Sequence, residues 1–462
     1  MSNFGFGPGN PNEDENGAPD FSQFFSQFAQ FGINPQALFT AGAGNGPLVS
    51  RDTIREIARN FIAAQSEIAV GSVDLAQSQE AIDIANIWLD EATAFPALTR
   101  GVQSAWSRRE WLEASLDGWQ KLVEPLAQGM ATALTNILSE SGVENAPEMA
   151  AVTPIMRAFM GSLIASQLGQ SVGQLAISVT GSNDLALPLF SPQVDPSSQI
   201  GFAPTSHERV QPHLLPQNIL SWSEGLEIPE EEIRIYLALR EAAAARLFAN
   251  TPWLGDYINS LISEYGKGIR IDIQTIQNQA ESAMNTGELD INNPQSISVA
   301  INQGMFTPEQ TPKQEAALHK LEMALALIEG WIDHVTSLAG GNRLPSFAAL
   351  HETSRRKRAT AAPTQQLFKT LLGLEISPRQ MRECATFWSE VNELEGLAER
   401  DHRWENEALL PTSADLANVE KFIASTTVPD DLSALFDFGS DGHDGSDGSD
   451  GDAGENGPSS QK

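Results

Sequence analysis

Apolar side chains recur every three to four residues through most of this chain, which is the spacing of amphipathic α-helices. Such segments follow one another from about Leu48 to about Ser425, as in the face formed by Ile54, Ala58 and Ile62. The pattern therefore predicts a mainly α-helical body with little strand.

One predicted helix carries several tryptophans and then meets a proline. It opens at Ala105 and continues through Trp111, Trp119 and Val123. Pro125 lacks an N–H group and its ring clashes with the preceding turn, so we expect the helix to end before it. Tryptophans at such spacing are more often core anchors than ligand contacts.

A small residue occupies every fourth position within the apolar segment from Pro154 to Val179. Small side chains on one stripe allow two helix backbones to approach closely, so we predict a central, tightly packed helix here. The stripe consists of Gly161, Ala165, Gly169 and Gly173.

The next segment, from Thr180 to Gln217, is interrupted repeatedly by proline and is predicted to be a long irregular connection. A loop of this length inside a compact protein is often functional, which makes it a candidate lid or cleft wall. Its prolines are Pro188, Pro192, Pro196, Pro204, Pro212 and Pro216.

The two ends differ from this body in composition. Residues 1–46 are rich in Gly, Asn and Pro, and residues 428–462 in Asp, Gly and Ser, so both are predicted to be disordered and to flank one body over 47–427. Within the first arm, Asp20 can cap a short amphipathic helix that either docks on the protein itself or enters another protein's groove. Its apolar face is Phe21, Phe24, Phe25 and Phe28.

The charge balance bears on partners. The chain has 28 basic and 60 acidic residues, a net charge of −32, which repels nucleic-acid phosphates and anionic lipid headgroups. Cys384 is the only cysteine, so no internal disulfide can form. Residues 1–8 show neither the basic start nor the apolar run of a signal peptide. We expect a cytoplasmic protein that binds neither nucleic acid nor membrane.

The stretch from Leu239 to Phe248 has the form of a zinc-protease helix that lacks both histidines. In the motif His-Glu-x-x-His, two imidazoles one turn apart bind zinc and the Glu acts as general base. Glu241 stands in the Glu position, Arg240 in the first His position and Ala244 in the second. The apolar stripe of this helix places Arg240 and Ala244 on its inward face.

Candidate partners lie downstream. Glu329 and Asp333 are one helical turn apart, and His334 follows on a different face. In zinc peptidases with a Glu ligand, a Glu on a later helix is the third ligand and an Asp one turn on orients a histidine. Glu329 therefore matches the metal ligand, whereas Asp333 and His334 are candidates for supporting or charge-compensating roles.

These segments together resemble the actinobacterial zincin-like family, whose members are labelled zinc-dependent metalloproteases or hydrolases, with a sister group linked to deazaflavin-cofactor biosynthesis. The resemblance covers roughly residues 48–425. It is carried by Arg240–Ala243, Arg246–Phe248, Pro252–Leu254, Glu329–Trp331, His334-Val335, Leu344-Pro345, Glu352 with Arg355–Arg358, Leu372–Glu375, Arg400-Asp401, Trp404, Leu409–Thr412, Trp88-Leu89, Trp106–Arg108 and Trp111.

The resemblance implies a zincin-like helical domain with Glu241 as general base and Glu329 as third zinc ligand. The sister group keeps an intact His-Glu-x-x-His and this branch typically keeps only the second histidine, whereas this chain has Ala244 there. One carboxylate plus water does not make a zinc site, which needs about three protein ligands. We therefore expect no cofactor, and zinc only if the metalloprotease interpretation holds.

An arginine on an inward stripe needs a partner, because an unpaired buried charge is very costly. Without zinc, the carboxylates of Glu241 and Glu329, with Asp333 as a further candidate, would face one another unneutralised. We predict that Arg240 replaces the dication with a guanidinium that is bidentate to one of these carboxylates. The alternative is that its charged end reaches a solvent-filled cleft.

Three functional hypotheses follow. The first is a zincin-fold pseudo-enzyme that binds a peptide or protein partner in the old cleft. The second is an active zinc-dependent metalloprotease with Glu241 as base and further ligands elsewhere. The third is a regulatory protein that acts through its Phe-rich arm and acidic tail.

Overall fold

The computed structural model describes residues 46–99, 103–140, 149–190, 210–269, 311–360, 367, 369 and 377–426. Within these residues the elements are α-helices, two short 3-10 helices and isolated β-bridges, which confirms the mainly α prediction. The predicted Phe-rich helix and most of the two predicted disordered ends lie outside the described residues.

The α-helices are numbered here in chain order. They are α1 (Arg51–Ala64), α2 (Ser72–Leu89), α3 (Arg108–Glu140), α4 (Met149–Ala176), α5 (Pro216–Ser223), α6 (Glu230–Asn250), α7 (Trp253–Lys267), α8 (Pro312–Gly340), α9 (Phe347–Thr360), α10 (Pro378–His402) and α11 (Val419–Thr426). The 3-10 helices are Glu407–Leu409 and Asp415–Ala417.

Helix α4 packs closely against α1 along its stripe of small residues. A Cβ atom added to Gly161 would lie 2.0 Å from the carbonyl oxygen of Leu48, and one added to Gly173 would lie 2.8 Å from Phe61. Neither approach is possible with a larger side chain. The predicted tightly packed helix is therefore confirmed.

Helix α3 does not end before Pro125 as predicted, but passes through it. The side chains of Leu122 and Leu126, on either side of the proline, are buried, and α3 packs against α7. A Cβ on Gly129 would lie 2.1 Å from the carbonyl oxygen of Gly266, so the two backbones nearly touch. Tertiary packing outweighs the hydrogen bond that the proline removes, which is the usual way that helix propensity is overridden.

Helix α6 lies in the core and packs against α2 and α8. Every side chain from Ile235 to Ala249 is buried, and so is every side chain of α8 from Met323 to Thr336. Both helices are thus buried on all faces rather than along one stripe. Their charged residues must find partners inside the protein, because an unpaired buried charge is strongly unfavourable.

The chain as far as Val419 forms one compact unit, and residues from Glu420 belong to a second, of which 420–426 are described. No helix among the described residues combines the length and apolar character needed to cross a lipid bilayer. Cys384 is a free, buried thiol.

Candidate functional site

Arg240 joins the two core helices through a pair of carboxylates. Its Nη2 donates to Oε1 of Glu329, and its Nη1 lies 3.4 Å from Oδ1 of Asp333. Arg240 is 5% exposed, and Glu329 and Asp333 are each 8% exposed. Burial alone would lower the pKa of Arg240, but the negative charges of Glu329 and Asp333 outweigh it and hold the pKa above its usual value. The guanidinium is therefore a permanent cation between two acids. The predicted bidentate pair with a single carboxylate is wrong, because each of the two Nη atoms contacts a different acid.

Asp333 accepts from two further side chains, both on α9. His351 Nε2 lies 2.7 Å from Oδ1, and Arg355 Nη2 lies 2.7 Å from Oδ2. Burial would raise the pKa of Asp333, but the hydrogen bond from His351 and the charges of Arg240 and Arg355 hold it well below its usual range. This carboxylate stays ionised.

Arg358, also on α9, ties Glu329 to the connection between α4 and α5. Its Nη1 lies 3.2 Å from Glu329 Oε2, and its Nη2 donates to Oδ1 of Asp184. Asp184 Oδ2 accepts from the backbone N–H of Thr180 at 2.8 Å. Both oxygens of Glu329 are thus occupied by arginine donors.

Glu241 is turned towards the same connection and is held by several donors. The hydroxyl of Ser182 donates to Oε1, the backbone N–H of Asn183 donates to Oε2 at 2.9 Å, and the Asn183 amide donates to Oε1 at 2.8 Å. The backbone N–H of His213 approaches Oε1 at 3.3 Å. Burial nevertheless raises the pKa of Glu241 to about 7, and these hydrogen bonds oppose the rise only in part.

A small cavity of about 230 Å³, open to solvent on one side, lies between these two groups. Arg240, Glu241 and Ala244 line it from α6, so the three positions of the motif helix do face a common space. The remaining lining residues are Thr180, Asn183, Asp184, Leu237, Glu329, Ile332 and Arg358. The predicted cleft wall after Thr180 supplies one side of this cavity.

A groove of about 400 Å³, a volume that includes the solvent at its open side as does that of the cavity, adjoins the cluster. Glu329 and Asp333 line it from α8, and Arg355 and Arg358 line it from α9. Its remaining lining residues are Ala359, Pro378, Met381 and Arg382.

Residues 49–423 match the model of a family described as zincin-like metallopeptidase. The chain belongs to this family. Among solved structures, a presumed hydrolase with a novel fold from Chloroflexus aurantiacus is similar, with 18% identity and a TM-score of 0.52 over 82% of this chain and 98% of the other. At this identity the likeness concerns the fold alone. A search of curated proteins gave no match.

The zinc ion that the family name implies does not fit the residues of this zincin-like protein. The two histidine positions hold Arg240, a cation that cannot ligate zinc, and Ala244, which has no donor atom. Glu329, the residue matching the third ligand, already accepts from Arg240 and Arg358. Within the described ranges, no group of three or more His, Cys, Asp or Glu side chains is arranged to hold a metal ion.

The structure thus brings three of the sequence-predicted residues, Arg240, Glu329 and Asp333, into one ion-pair cluster, with Glu241 on the other side of the cavity. His334 does not join them. It is buried near Arg400 and Asp401, and its burial and the charge of Arg400 lower its pKa to about 4.

Sequence reasoning missed the other contributors to the cluster in this zincin-like protein. His351, Arg355 and Arg358 are spaced i, i+4, i+7 and so share one face of α9, a signal that was available. Ser182, Asn183 and Asp184 lie in the irregular connection, where no periodicity could have marked them.

Proposed function

We propose that this zincin-like protein binds a peptide, or a peptide segment of a partner protein, in the groove beside Arg240 without zinc-dependent hydrolysis. The observation that carries the proposal is the guanidinium of Arg240, which faces the cavity from the first histidine position and bridges Glu329 and Asp333. The ligand set of the fold has become a set of fixed ion pairs.

The hydrolytic step of a zincin needs a metal that polarises the carbonyl and a carboxylate that takes a proton from water. The ligand positions here carry a cation and a methyl group, as described above. Glu241, in the general-base position, accepts from Ser182 and Asn183, which occupy its oxygens with protein donors. Neither requirement of the reaction is met by these side chains.

The groove keeps the features of a binding surface. Its two acids are paired with Arg355 and Arg358, so these four side chains are held in place before a ligand arrives, which lowers the entropic cost of binding. It is open to solvent on one side and shares Glu329 and Arg358 with the cavity that Arg240 and Glu241 line. Such a partly charged, pre-formed cleft suits the polar backbone and side chains of a peptide.

The test combines peptide capture with a groove-blocking substitution. An array of random decapeptides would be probed with the purified full chain, with the variant Ala359→Trp and with the control Ala349→Trp. Both alanines are exposed on α9, but only Ala359 lines the groove. We expect the wild type and Ala349→Trp to bind the same peptides, Ala359→Trp to lose them, and the bound peptides to remain intact with zinc added. Peptide binding that Ala359→Trp leaves unchanged would refute the proposal.

A second candidate is an active zinc-dependent metalloprotease, with Glu241 as general base and ligands from residues outside those described. The raised pKa of Glu241, about 7, favours it, because a general base works best near the ambient pH. Metal analysis of the purified untagged chain separates the two candidates. Near-stoichiometric zinc after dialysis would support the protease, and its absence with no thermal shift on zinc addition would support the binding protein.

The other sequence predictions belong to the same proposal. The net charge of −32 favours a peptide or protein partner over nucleic acid or a membrane surface. The cytoplasmic location remains a prediction. Membership of the actinobacterial branch, beside the deazaflavin-linked sister group, remains a prediction.

A further inference from the structure

We propose that the groove contains a subsite for a single carboxylate, formed by Arg355 and Arg382, so that the peptides it selects carry a free carboxyl-terminal or an acidic side-chain carboxylate. The inference rests on the proposed peptide-binding function and specifies its ligand. It is carried by the distribution of charge and of free hydrogen-bond donors around the groove.

Among the described residues that line it, the groove has one more positive than negative side chain. Arg355, Arg358 and Arg382 line it together with Glu329 and Asp333. The residues directly behind them, Arg240 and Asp184, cancel each other and leave the excess unchanged. In a chain of net charge −32, a locally positive groove attracts a small anion and repels cations.

The two acids that line the groove are already paired, whereas Arg355 keeps unused N–H donors. Glu329 accepts from Arg240 and Arg358, and Asp333 accepts from Arg240, His351 and Arg355. Arg355 nevertheless remains 41% exposed at its side chain, and one of its five N–H donors is used on Asp333. Its remaining donors are available to a ligand.

Arg382 stands across the groove from α9, on the first turns of α10. It is exposed, and no described residue makes an ion pair or hydrogen bond with it. The amino-terminal end of α10 adds positive potential at this place, because Pro378 lines the groove, the Ser377 side chain makes no cap hydrogen bond and the first turn holds no acid. Two arginines on two helices thus face one opening.

The excess of one charge selects a carboxylate rather than a phosphate group. A phosphate monoester carries nearly two negative charges and would lie beside Glu329 and Asp333, which repel it. A carboxylate carries one charge and matches the planar fork of an arginine with two parallel hydrogen bonds. A peptide carboxylate is therefore the favoured ligand.

Two arginines on α10 allow a matched experiment. Arg382 lines the groove, whereas Arg379, one turn away, is 81% exposed and pairs with Glu383 outside it. Peptides selected by the wild type would be synthesised with a free carboxyl terminus or an amide, and with Asp and Glu or with Asn and Gln. Their affinities would be measured for the wild type, Arg382→Ala and Arg379→Ala.

We expect removal of one of the two kinds of carboxylate to weaken binding at least tenfold, and which kind it is identifies the source. Arg382→Ala should weaken binding by a similar factor and make it indifferent to that carboxylate, whereas Arg379→Ala should change it less than twofold. Peptides that bind equally well in all four forms would refute the carboxylate subsite and leave the peptide-binding function standing.

If no peptide is captured, N-acetylglycine and N-acetylglycinamide serve as probes, with the arginine Nε–H signals of the full chain followed by NMR. A saturable shift of the Arg382 signal with the acid alone would support the subsite although the peptide function had failed. No shift with either compound would refute the subsite as well.

Discussion

The guanidinium of Arg240 on α6 and the carboxylate of Glu329 on α8 meet across 89 positions of sequence, and both are almost wholly buried. In a zincin the same two positions would belong to ligands that converge on one metal ion. Here one of them carries the positive charge itself. The consequences can be measured in stability, metal binding and pH dependence.

Replacing Arg240 by alanine should destabilise the protein strongly. Glu329 and Asp333 would lose the cation between them, and breaking a buried ion pair from one side costs about 3–5 kcal/mol. Guanidinium denaturation at pH 7 measures the free energy of unfolding. The control is Arg59→Ala, which removes a half-exposed arginine paired with Glu113 at 2.8 Å and should cost less than about 1 kcal/mol. Equal effects of the two substitutions would show that Arg240 does not neutralise the cluster.

The double substitution Arg240→His and Ala244→His should create zinc binding. It places two imidazoles one turn apart on the inward face of α6 and frees one oxygen of Glu329, which completes three protein ligands. We expect about one zinc per chain after dialysis, measured by mass spectrometry. Ala244→His alone should retain none, because Arg240 would still occupy Glu329. Adding Glu329→Gln to the double variant should abolish retention. If the double variant binds no zinc, the ligand geometry of a zincin is absent from this fold.

Glu241 should make the protein less stable as the pH rises. Its pKa of about 7 in the folded protein lies above the ordinary value of 4.5, so between these values the folded state holds a proton that the unfolded chain releases. The contribution of Glu241 to the free energy of unfolding then falls by about 3 kcal/mol from pH 4.5 to pH 7 and is constant above pH 7. The variant Glu241→Gln lacks this contribution.

The difference between Glu241→Gln and the wild type, rather than either curve alone, is the quantity to measure. His213 and His334, each with a pKa lowered to about 4 by burial, act in the opposite sense, since stability from a depressed histidine pKa is lost as the pH falls below 6.5. These contributions cancel in the difference. A difference that stays constant between pH 5 and pH 8 would contradict the raised pKa of Glu241.

Gly181 should tolerate no side chain as long as Glu241 is in place. A Cβ atom at this position would lie 2.2 Å from Oε2 of Glu241, whose carboxylate is fixed by Ser182 and Asn183. Gly181→Ala should therefore destabilise the protein by about 1–3 kcal/mol, as overpacking generally does. The same substitution should cost less when combined with Glu241→Ala, which removes the clash. The cost of Gly181→Ala in free energy of unfolding, measured by denaturation, should be at least about 0.5 kcal/mol smaller in the Glu241→Ala background than in the wild type. Gly46→Ala, which meets no atom within 4 Å, is the control.

The part of the site that lies on helices could be predicted from the sequence. Helical periodicity placed Arg240 on the inward face and Glu329 one turn from Asp333. Because a buried cation needs acidic partners, these acids could be predicted to pair with Arg240. The same periodicity in His351, Arg355 and Arg358 shows that they share a face but not which helix that face meets, because that depends on tertiary packing. Only the structure shows that this face of α9 meets the acids of α8.

The environment of Glu241 could not be predicted in the same way. Ser182 and Asn183 reach it from an irregular connection that precedes it by 59 and 58 positions, and irregular backbone has no period to read. The prediction that α3 ends before Pro125 was wrong for a related reason. The lost hydrogen bond at a proline usually ends a helix. Here the helix continues, and beyond the proline it packs closely at Gly129 against Gly266, which is distant in sequence.

Arg240 is attached to the chain by covalent bonds, and this distinguishes it from the ion it stands for. A bound metal leaves by dissociation, is removed by chelators and depends on the supply of the element in the medium. The guanidinium of Arg240 is part of the polypeptide, so every chain carries it. The charge balance of this core is therefore complete as soon as the chain has been synthesised, in zinc-starved and zinc-rich surroundings alike.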